Sequence, residues 1–158
     1  MDALPQENVQ GYPRPPVVQP VTEELRVVLG GETIASTQRG WRILETHHAP
    51  TYYFPPGDIA SGVLRPARGR SFCEWKGRAR YWTAEAGGHV AEAAAWSYDL
   101  PTRPFAGIAG FVAFYAHAFD ACYVGPERVI PQPGSFYGGW VTANLTGEIK
   151  GAPGTEGW

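Results

Sequence analysis

A thiol and a primary amine stand three residues apart in segment 71–82, and both could act as nucleophiles. Cys73 and Lys76 carry these groups within a run rich in aromatic residues. Either group needs an accessible position and a lowered pKa to react. Strict alternation along a strand separates the two side chains unless Gly77 marks a bulge. Catalysis by Cys73 or Lys76 is therefore one open hypothesis for this chain, and whether it is an enzyme stays undecided.

Glu45, His47 and His48 form a second group of polar side chains. Glu45 is the acid–base candidate for such an enzyme, and alternation puts it on the same strand face as His47. With His48 they could supply half of a metal site, but His89 and His117 are isolated and offer no second half. No Walker loop, GxGxxG, GxSxG or HExxH motif is present. We therefore expect neither a metal nor a cofactor.

Aromatic residues predict the wall of a binding cleft. Trp96 and Tyr98 stand two residues apart, so on a strand they project to the same side. Tyrosine and tryptophan carry polar atoms that need partners, and such clusters often border a pocket, although ordinary core packing is the alternative. The expected ligand-binding residues are Tyr53, Trp75, Lys76, Tyr81, Trp96 and Tyr98.

Composition and charge narrow the class of protein. At 158 residues with 44% hydrophobic content, the chain suits a single folded domain with a sizeable core. Its 20 glycines and 15 prolines favour a turn-rich β architecture. The formal net charge is −2, so we expect neither nucleic acid nor membrane as a partner. The six basic residues from Arg65 to Arg80 could form a local positive patch, but a solvated strand face explains them equally well.

The sequence shows no targeting signal. Its first residues have neither the basic nor the apolar region of a signal peptide, and no apolar run is long enough to span a bilayer. Cys73 and Cys122 are too few for a disulfide framework or a four-thiolate zinc site, although one disulfide between them stays open. We therefore expect a cytoplasmic protein.

Alternating apolar residues and glycine turns predict a mainly β domain over residues 22–130. Paired glycines at 30–31 and 87–88 supply the positive φ angles of tight hairpin turns. Asp58 is expected to cap a short helical turn reaching Leu64. Residues 105–108 are expected to form a second helical turn. The predicted strands cover 25–29, 32–36, 41–47, 51–54, 70–76, 78–85, 89–98, 111–115 and 121–124.

Two unusual segments flank this domain. Residues 1–21 form a proline-rich arm, which we expect to be extended. Residues 131–158 form a glycine, proline and aromatic tail. Its aromatic residues, Phe136, Tyr137, Trp140 and Trp158, would be unfavourable in water, so we expect the tail to pack on the domain or on a partner subunit.

Four ordered motifs resemble those of the domain-of-unknown-function 427 family. They are PTYYFPPGDI (50–59), CxxKGxAxY (73–81), AWSY (95–98) and VAFY (112–115), and they span about residues 25–125. The tail motif FYGGW (136–140) resembles a bacterial subgroup, here with one copy of the domain. The resemblance implies a β-tent, two antiparallel sheets meeting at an angle, as in methionine sulfoxide reductase B and the drug-binding domain of cereblon.

The resemblance also brings two chemistries to consider. Those β-tent relatives hold zinc through paired cysteines, and this chain has no CxxC pair. The family label names nucleotidyl transfer, which needs clustered acids to hold magnesium. Asp58, Asp99 and Asp120 are solitary, so we do not expect that activity.

The leading expectation is a small-molecule binding module with an aromatic cleft, where Lys76 and Glu45 supply polar contacts. The first alternative is an enzyme that uses Cys73 or Lys76. The second is a structural protein whose arm and tail drive formation of a homodimer.

Overall fold

The computed structural model describes residues 3–73, 75–133, 137–152 and 155. They form a mainly β structure, as expected, with short 3-10 helices at Val9–Gly11, Pro56–Asp58, Arg103–Ile108 and Ala116–Ala118. The strands are β1 (Glu7–Asn8), β2 (Val17–Pro20), β3 (Leu25–Leu29), β4 (Glu32–Thr37), β5 (Trp41–Leu44), β6 (Thr51–Tyr53), β7 (Leu64–Cys73), β8 (Gly77–Ala86), β9 (His89–Ser97), β10 (Val112–Phe114), β11 (Ala121–Val124), β12 (Glu127–Arg128), β13 (Ile130–Pro131), β14 (Trp140–Val141) and β15 (Leu145–Thr146).

The strands assemble into antiparallel sheets with the orders β10-β9-β8-β7, β12-β11-β3-β4 and β2-β5-β6. The first and last of these join where Phe54 and Val112 exchange backbone hydrogen bonds of 2.8 and 2.9 Å. Counted through that bridge, the described residues form one seven-stranded and one four-stranded sheet. Two short pairs are added by the termini: β13–β14, which is antiparallel, and β1–β15, which is parallel.

The seven-stranded sheet buries side chains on both faces. Tyr52 and Phe54 belong to the main core, packed with Leu25 and Val27 of the other sheet. Tyr53, between them in sequence, belongs to a second cluster on the opposite face. Period-two alternation causes this division, because neighbouring residues of a strand point to opposite sides. The remaining buried members of the second cluster are Ile43, Ala79, Trp96, Tyr98, Phe105, Ile108 and Ala113.

Both predicted paired-glycine turns are present, and they touch each other. A Cβ at Gly30 would lie 2.2 Å from the carbonyl oxygen of Ala86, and a Cβ at Gly87 would lie 2.2 Å from that of Gly30. Both residues also have positive φ, 61° and 56°. The close approach of the two turns therefore requires glycine at both positions.

The predicted strand over 70–76 is displaced. β7 begins at Leu64 and ends at Cys73, and Gly77, with a φ of 108°, opens β8. Trp75 and Lys76 therefore lie in the turn between two strands, so the bulge proposed at Gly77 is instead a hairpin turn. Glu74 lies outside the described residues.

Two further local predictions were wrong. The strand predicted over 41–47 ends at Leu44, because the chain turns at residues 45–48. Asp58 caps no helix leading to Leu64. Its carboxylate accepts a hydrogen bond of 2.6 Å from Thr37 Oγ1 and pairs with Arg39 Nε at 2.9 Å.

The described parts of the arm and the tail lie against the domain. β2 pairs with β5 along its whole length, and Val9 is fully buried. Trp140 is 1% exposed; its Nε1 donates a hydrogen bond of 2.9 Å to the carbonyl oxygen of Phe114. Phe136 and Trp158 lie outside the described residues.

Among the described residues, no helix has both the length and the apolar character needed to cross a membrane.

Candidate functional site

A cleft of about 370 Å³ lies where β5 and β6 meet β7, β8 and β9, on the side of the second cluster. This volume is within the range of small-molecule sites, towards its lower end. The cleft brings together every residue that the sequence suggested for binding or catalysis: Glu45, Tyr53, Cys73, Trp75, Lys76, Tyr81, Trp96 and Tyr98.

Trp96 forms the centre of the aromatic wall. Its ring lies 4.4 Å from that of Tyr115 with an interplanar angle of 40°, and it meets the ring of Tyr53 edge-on at 6.5 Å. Only 7% of Trp96 is exposed. Packing against both rings therefore fixes the indole and makes this part of the wall rigid.

Tyr53 brings a polar atom into this apolar surrounding. The residue is fully buried, and its Oη makes no hydrogen bond of acceptable geometry with any described residue. Burial raises the pKa of Tyr53 well above its usual value. The neighbouring Trp96 side chain lowers this pKa, but its effect is smaller than that of burial. The hydroxyl therefore stays protonated at neutral pH and is an unused hydrogen-bond donor at the cleft.

Lys76 is positioned by the hairpin turn. Its carbonyl oxygen accepts a hydrogen bond of 3.0 Å from Thr102 N, and the carbonyl of Trp75 accepts one of 2.5 Å from Thr102 Oγ1. The ammonium nitrogen lies 5.9 Å from the centre of the Tyr98 ring. Within the described residues, no carboxylate comes within ion-pair distance of Lys76 Nζ.

His48, rather than His47, faces the cleft. His47 has a left-handed φ of 65°, which breaks the alternation that had placed it beside Glu45. Burial lowers the pKa of His48 to about 4, assisted by the positive charges of Lys150 and Lys76. The imidazole is therefore neutral at neutral pH. Its Nε2 lies 3.9 Å from Glu45 Oε2.

Gln132 holds several cleft segments together. The side chain is 2% exposed; its Oε1 accepts a hydrogen bond of 3.2 Å from Ala49 N, and its Nε2 donates one of 3.0 Å to the carbonyl of Lys150. Its backbone N–H donates to the carbonyl of Gly139 at 3.0 Å. Gln132 thus fixes the loop near His48 and the tail in one arrangement.

Lys150 is the second cation of the cleft. Its backbone N–H donates a hydrogen bond of 2.7 Å to the carbonyl of His47, which fixes the position of the residue. Its Nζ lies 5.5 Å from the centre of the Tyr137 ring. As with Lys76, no ion pair to a carboxylate is formed within the described ranges.

The two cysteines have different surroundings and are both free thiols. Cys73 is half-buried at the cleft, and within the described residues its sulfur makes no hydrogen bond to an acid or a histidine. Cys122 lies in the main core, 2% exposed, and burial raises its pKa to about 12.

The aspartates considered for metal binding lie apart from the cleft. Asp58 pairs with Arg39, Asp99 pairs with Arg80, and Asp120 accepts a hydrogen bond from Gly31 N. In the part of the chain that the structure describes, no three or more histidines, cysteines, aspartates or glutamates gather in a way that could hold a metal ion.

Sequence reasoning missed Tyr115, Gln132, Tyr137 and Lys150 as parts of the cleft. Tyr115 was the last residue of a predicted strand. For Tyr137, the aromatic content of the tail was the signal that the tail packs on the domain or on a partner subunit. Nothing in the sequence marks Gln132, which stands between two prolines.

The family model described as a domain of unknown function (DUF427), with the label NTP_transf_9, matches residues 17–125. The match extends from β2 through β11 and includes most of the cleft wall. It does not reach Gln132, Tyr137 or Lys150. A comparison with curated proteins gives no match.

Proposed function

The chain belongs to the DUF427 family, whose description names no activity, and we propose from the cleft itself that the protein binds a small organic molecule with a flat, apolar body. Eight phenylalanine, tryptophan and tyrosine residues line the cleft, and their rings supply apolar surface for such a body. The cleft volume of about 370 Å³ suits a ligand of one or two fused rings.

The observation that carries this proposal is the hydroxyl of Tyr53, which has no hydrogen-bond partner among the described residues. A buried polar group without a hydrogen bond costs about 1–3 kcal/mol, so an ordinary core position would have replaced it with an apolar one. Phenylalanine would fill the same volume without this cost. A ligand atom that accepts a hydrogen bond from Tyr53 Oη explains why the hydroxyl is kept.

We favour binding over the enzyme that uses Cys73 or Lys76. A thiol nucleophile is usually activated by a base within hydrogen-bond reach, and Cys73 Sγ has none among the described residues.

The homodimer hypothesis relied on a tail available to a partner. Trp140 instead packs on its own domain, against Tyr52 and Phe54. We also place the protein in the cytoplasm, where an accessible thiol stays reduced.

The test is a fragment screen by thermal shift and crystal soaking, made with the unmodified chain and with a variant whose cleft is filled. Ser71 lies at the cleft and is exposed, so Ser71→Trp adds a ring there without entering the main core. The matched control is Arg78→Trp, on the neighbouring strand and outside the cleft.

We expect planar aromatic fragments to stabilise the unmodified chain and the Arg78→Trp variant, and to lose this effect in Ser71→Trp. Soaked crystals should show the fragment in contact with Tyr53 Oη. The proposal fails if no fragment binds, or if fragments bind equally well when the cleft is filled.

A further inference from the structure

The cleft contains both lysines of the sequence. The chain has 13 lysines and arginines, of which 11 are arginine, so Lys76 and Lys150 are its only lysines. They are 74 positions apart in the sequence, yet both line the same cleft, and no arginine is among its described lining residues. The protein thus uses arginine for its other positive charges and lysine at this site.

Lysine and arginine bind anions in different ways. Arginine presents a flat fork of donors that matches two oxygens at once, as in phosphate recognition, whereas lysine presents a compact point charge with rotatable donors. An ammonium group on a flexible stem can adjust to a small anion in a narrow cleft. The residue type at these two positions therefore suits a small anionic group.

Lys76, Lys150 and His48 all line this cleft, and Glu45 lies beside His48. The two lysines both contribute to the low pKa of His48, and each lies over a tyrosine ring. Glu45 also lines the cleft and offsets one positive charge. With His48 neutral, the charged groups described at the cleft sum to +1, which matches a monoanion.

We propose that the ligand carries a carboxylate, held by Lys76 and Lys150 beside His48, while its ring lies against the aromatic wall. This inference rests on the proposed function, because it names the chemical class of the molecule bound there. An aromatic carboxylate has both required parts: a flat apolar body for the Trp96 side and a single negative charge for the lysine side.

The low number of lysines gives a direct experiment. Reductive methylation with ¹³C-formaldehyde labels the lysines and the α-amino group and keeps the positive charge of each lysine. The labelled full-length chain is titrated with 2-naphthoate, and separately with 2-naphthamide, which has the same shape without the charge. Lysine methyl signals are followed by two-dimensional ¹H–¹³C NMR and assigned with the single variants Lys76→Met and Lys150→Met.

We expect naphthoate to shift both lysine signals with one shared Kd and to leave the α-amino signal in place. Naphthoate should bind about fivefold or more tightly than naphthamide, the effect of about 1 kcal/mol for a partly exposed ion pair. Each Lys→Met variant should remove most of this difference. The control Arg78→Met, which removes an exposed charge outside the cleft, should not.

The possible failures are distinguishable. Equal affinity for acid and amide overturns the carboxylate inference but leaves small-molecule binding intact. Naphthoate binding that moves neither lysine signal also overturns it. If neither compound binds, the inference is rejected, and the proposed function is then decided by the fragment screen.

Discussion

Gln132 Nε2 donates a hydrogen bond to His48 Nδ1 across 3.3 Å, and this contact ties the tail to the loop that borders the cleft. The same amide nitrogen also reaches the Lys150 carbonyl. Because the accepting Nδ1 carries no proton, the imidazole N–H lies on Nε2, which faces Glu45. One buried amide therefore fixes both the tautomer of a histidine and the position of a lysine.

Replacing this amide should destabilise the protein. In Gln132→Ala, the Ala49 N–H and the Lys150 carbonyl lose their partners in a buried region, so we expect the free energy of unfolding to fall by about 2–4 kcal/mol. Urea denaturation measures the change. Gln38→Ala, at an exposed position, should alter stability by less than about 0.5 kcal/mol. Equal losses in both variants would contradict the role given to Gln132.

His48 should make stability dependent on pH. Its pKa in the folded protein is lowered from 6.5 to about 4, so between these values the unfolded state binds more protons than the folded state. The free energy of unfolding should therefore fall as pH falls from about 6.5 to about 4. For a partly exposed group we expect a loss of about 1–2 kcal/mol over this range.

Urea denaturation at a series of pH values would measure this slope. In His48→Gln the titrating group is absent, so stability should change less over the same range. Carboxylates that titrate near its lower end are common to both proteins and cancel in the comparison. Parallel curves for the two proteins would show that His48 does not cause the dependence.

Gly138 should not tolerate a side chain. A Cβ there would lie 2.1 Å from the Trp96 ring, and that ring is held on its other sides. We expect Gly138→Ala to cost about 1–3 kcal/mol and to change tryptophan fluorescence as the tail or the indole moves. Gly11→Ala is the matched control, because a Cβ at Gly11 meets nothing within 4 Å. An unchanged Gly138→Ala variant would refute the close contact.

The two thiols should differ in reactivity in the folded protein. Cys73 is half-buried at the cleft, whereas Cys122 is in the core with its pKa raised to about 12. Iodoacetamide near pH 8 should modify Cys73 first, and Cys122 should react only after unfolding, because the thiolate is the reactive form. Peptide mass spectrometry identifies the modified site, and Cys73→Ser should block the reaction. Equal modification of both in the native state would contradict this assignment.

Much of the fold could be predicted because its signals are local. Paired glycines at 30–31 and 87–88 made two hairpins recognisable, and alternation located the strands around Tyr53 and Trp96. The signal failed at Trp75 and Lys76, where the strand-like pattern of the sequence continued through a turn. Residue type alone does not show that a strand has ended at Cys73.

The cleft could be predicted only in part, for a different physical reason. Side chains on neighbouring strands of one sheet are brought together by pairing that the sequence pattern indicates. Gln132, Tyr137 and Lys150 belong to a segment without strong periodicity, and their contacts with residues 47–49 span more than 80 positions. Such long-range packing leaves no local pattern.

The parallel pairing of β1 with β15, which sets Glu7 opposite Leu145, has a consequence for synthesis on the ribosome. Chains emerge from their N-terminus, so the nascent domain can fold before residues 137–150 have left the exit tunnel. Until then β1 lacks this partner, and Trp96 lacks the cover of Gly138. A domain that folds at that stage would have a cleft without the wall that Gly138 and Lys150 supply, until residues 137–150 also leave the ribosome.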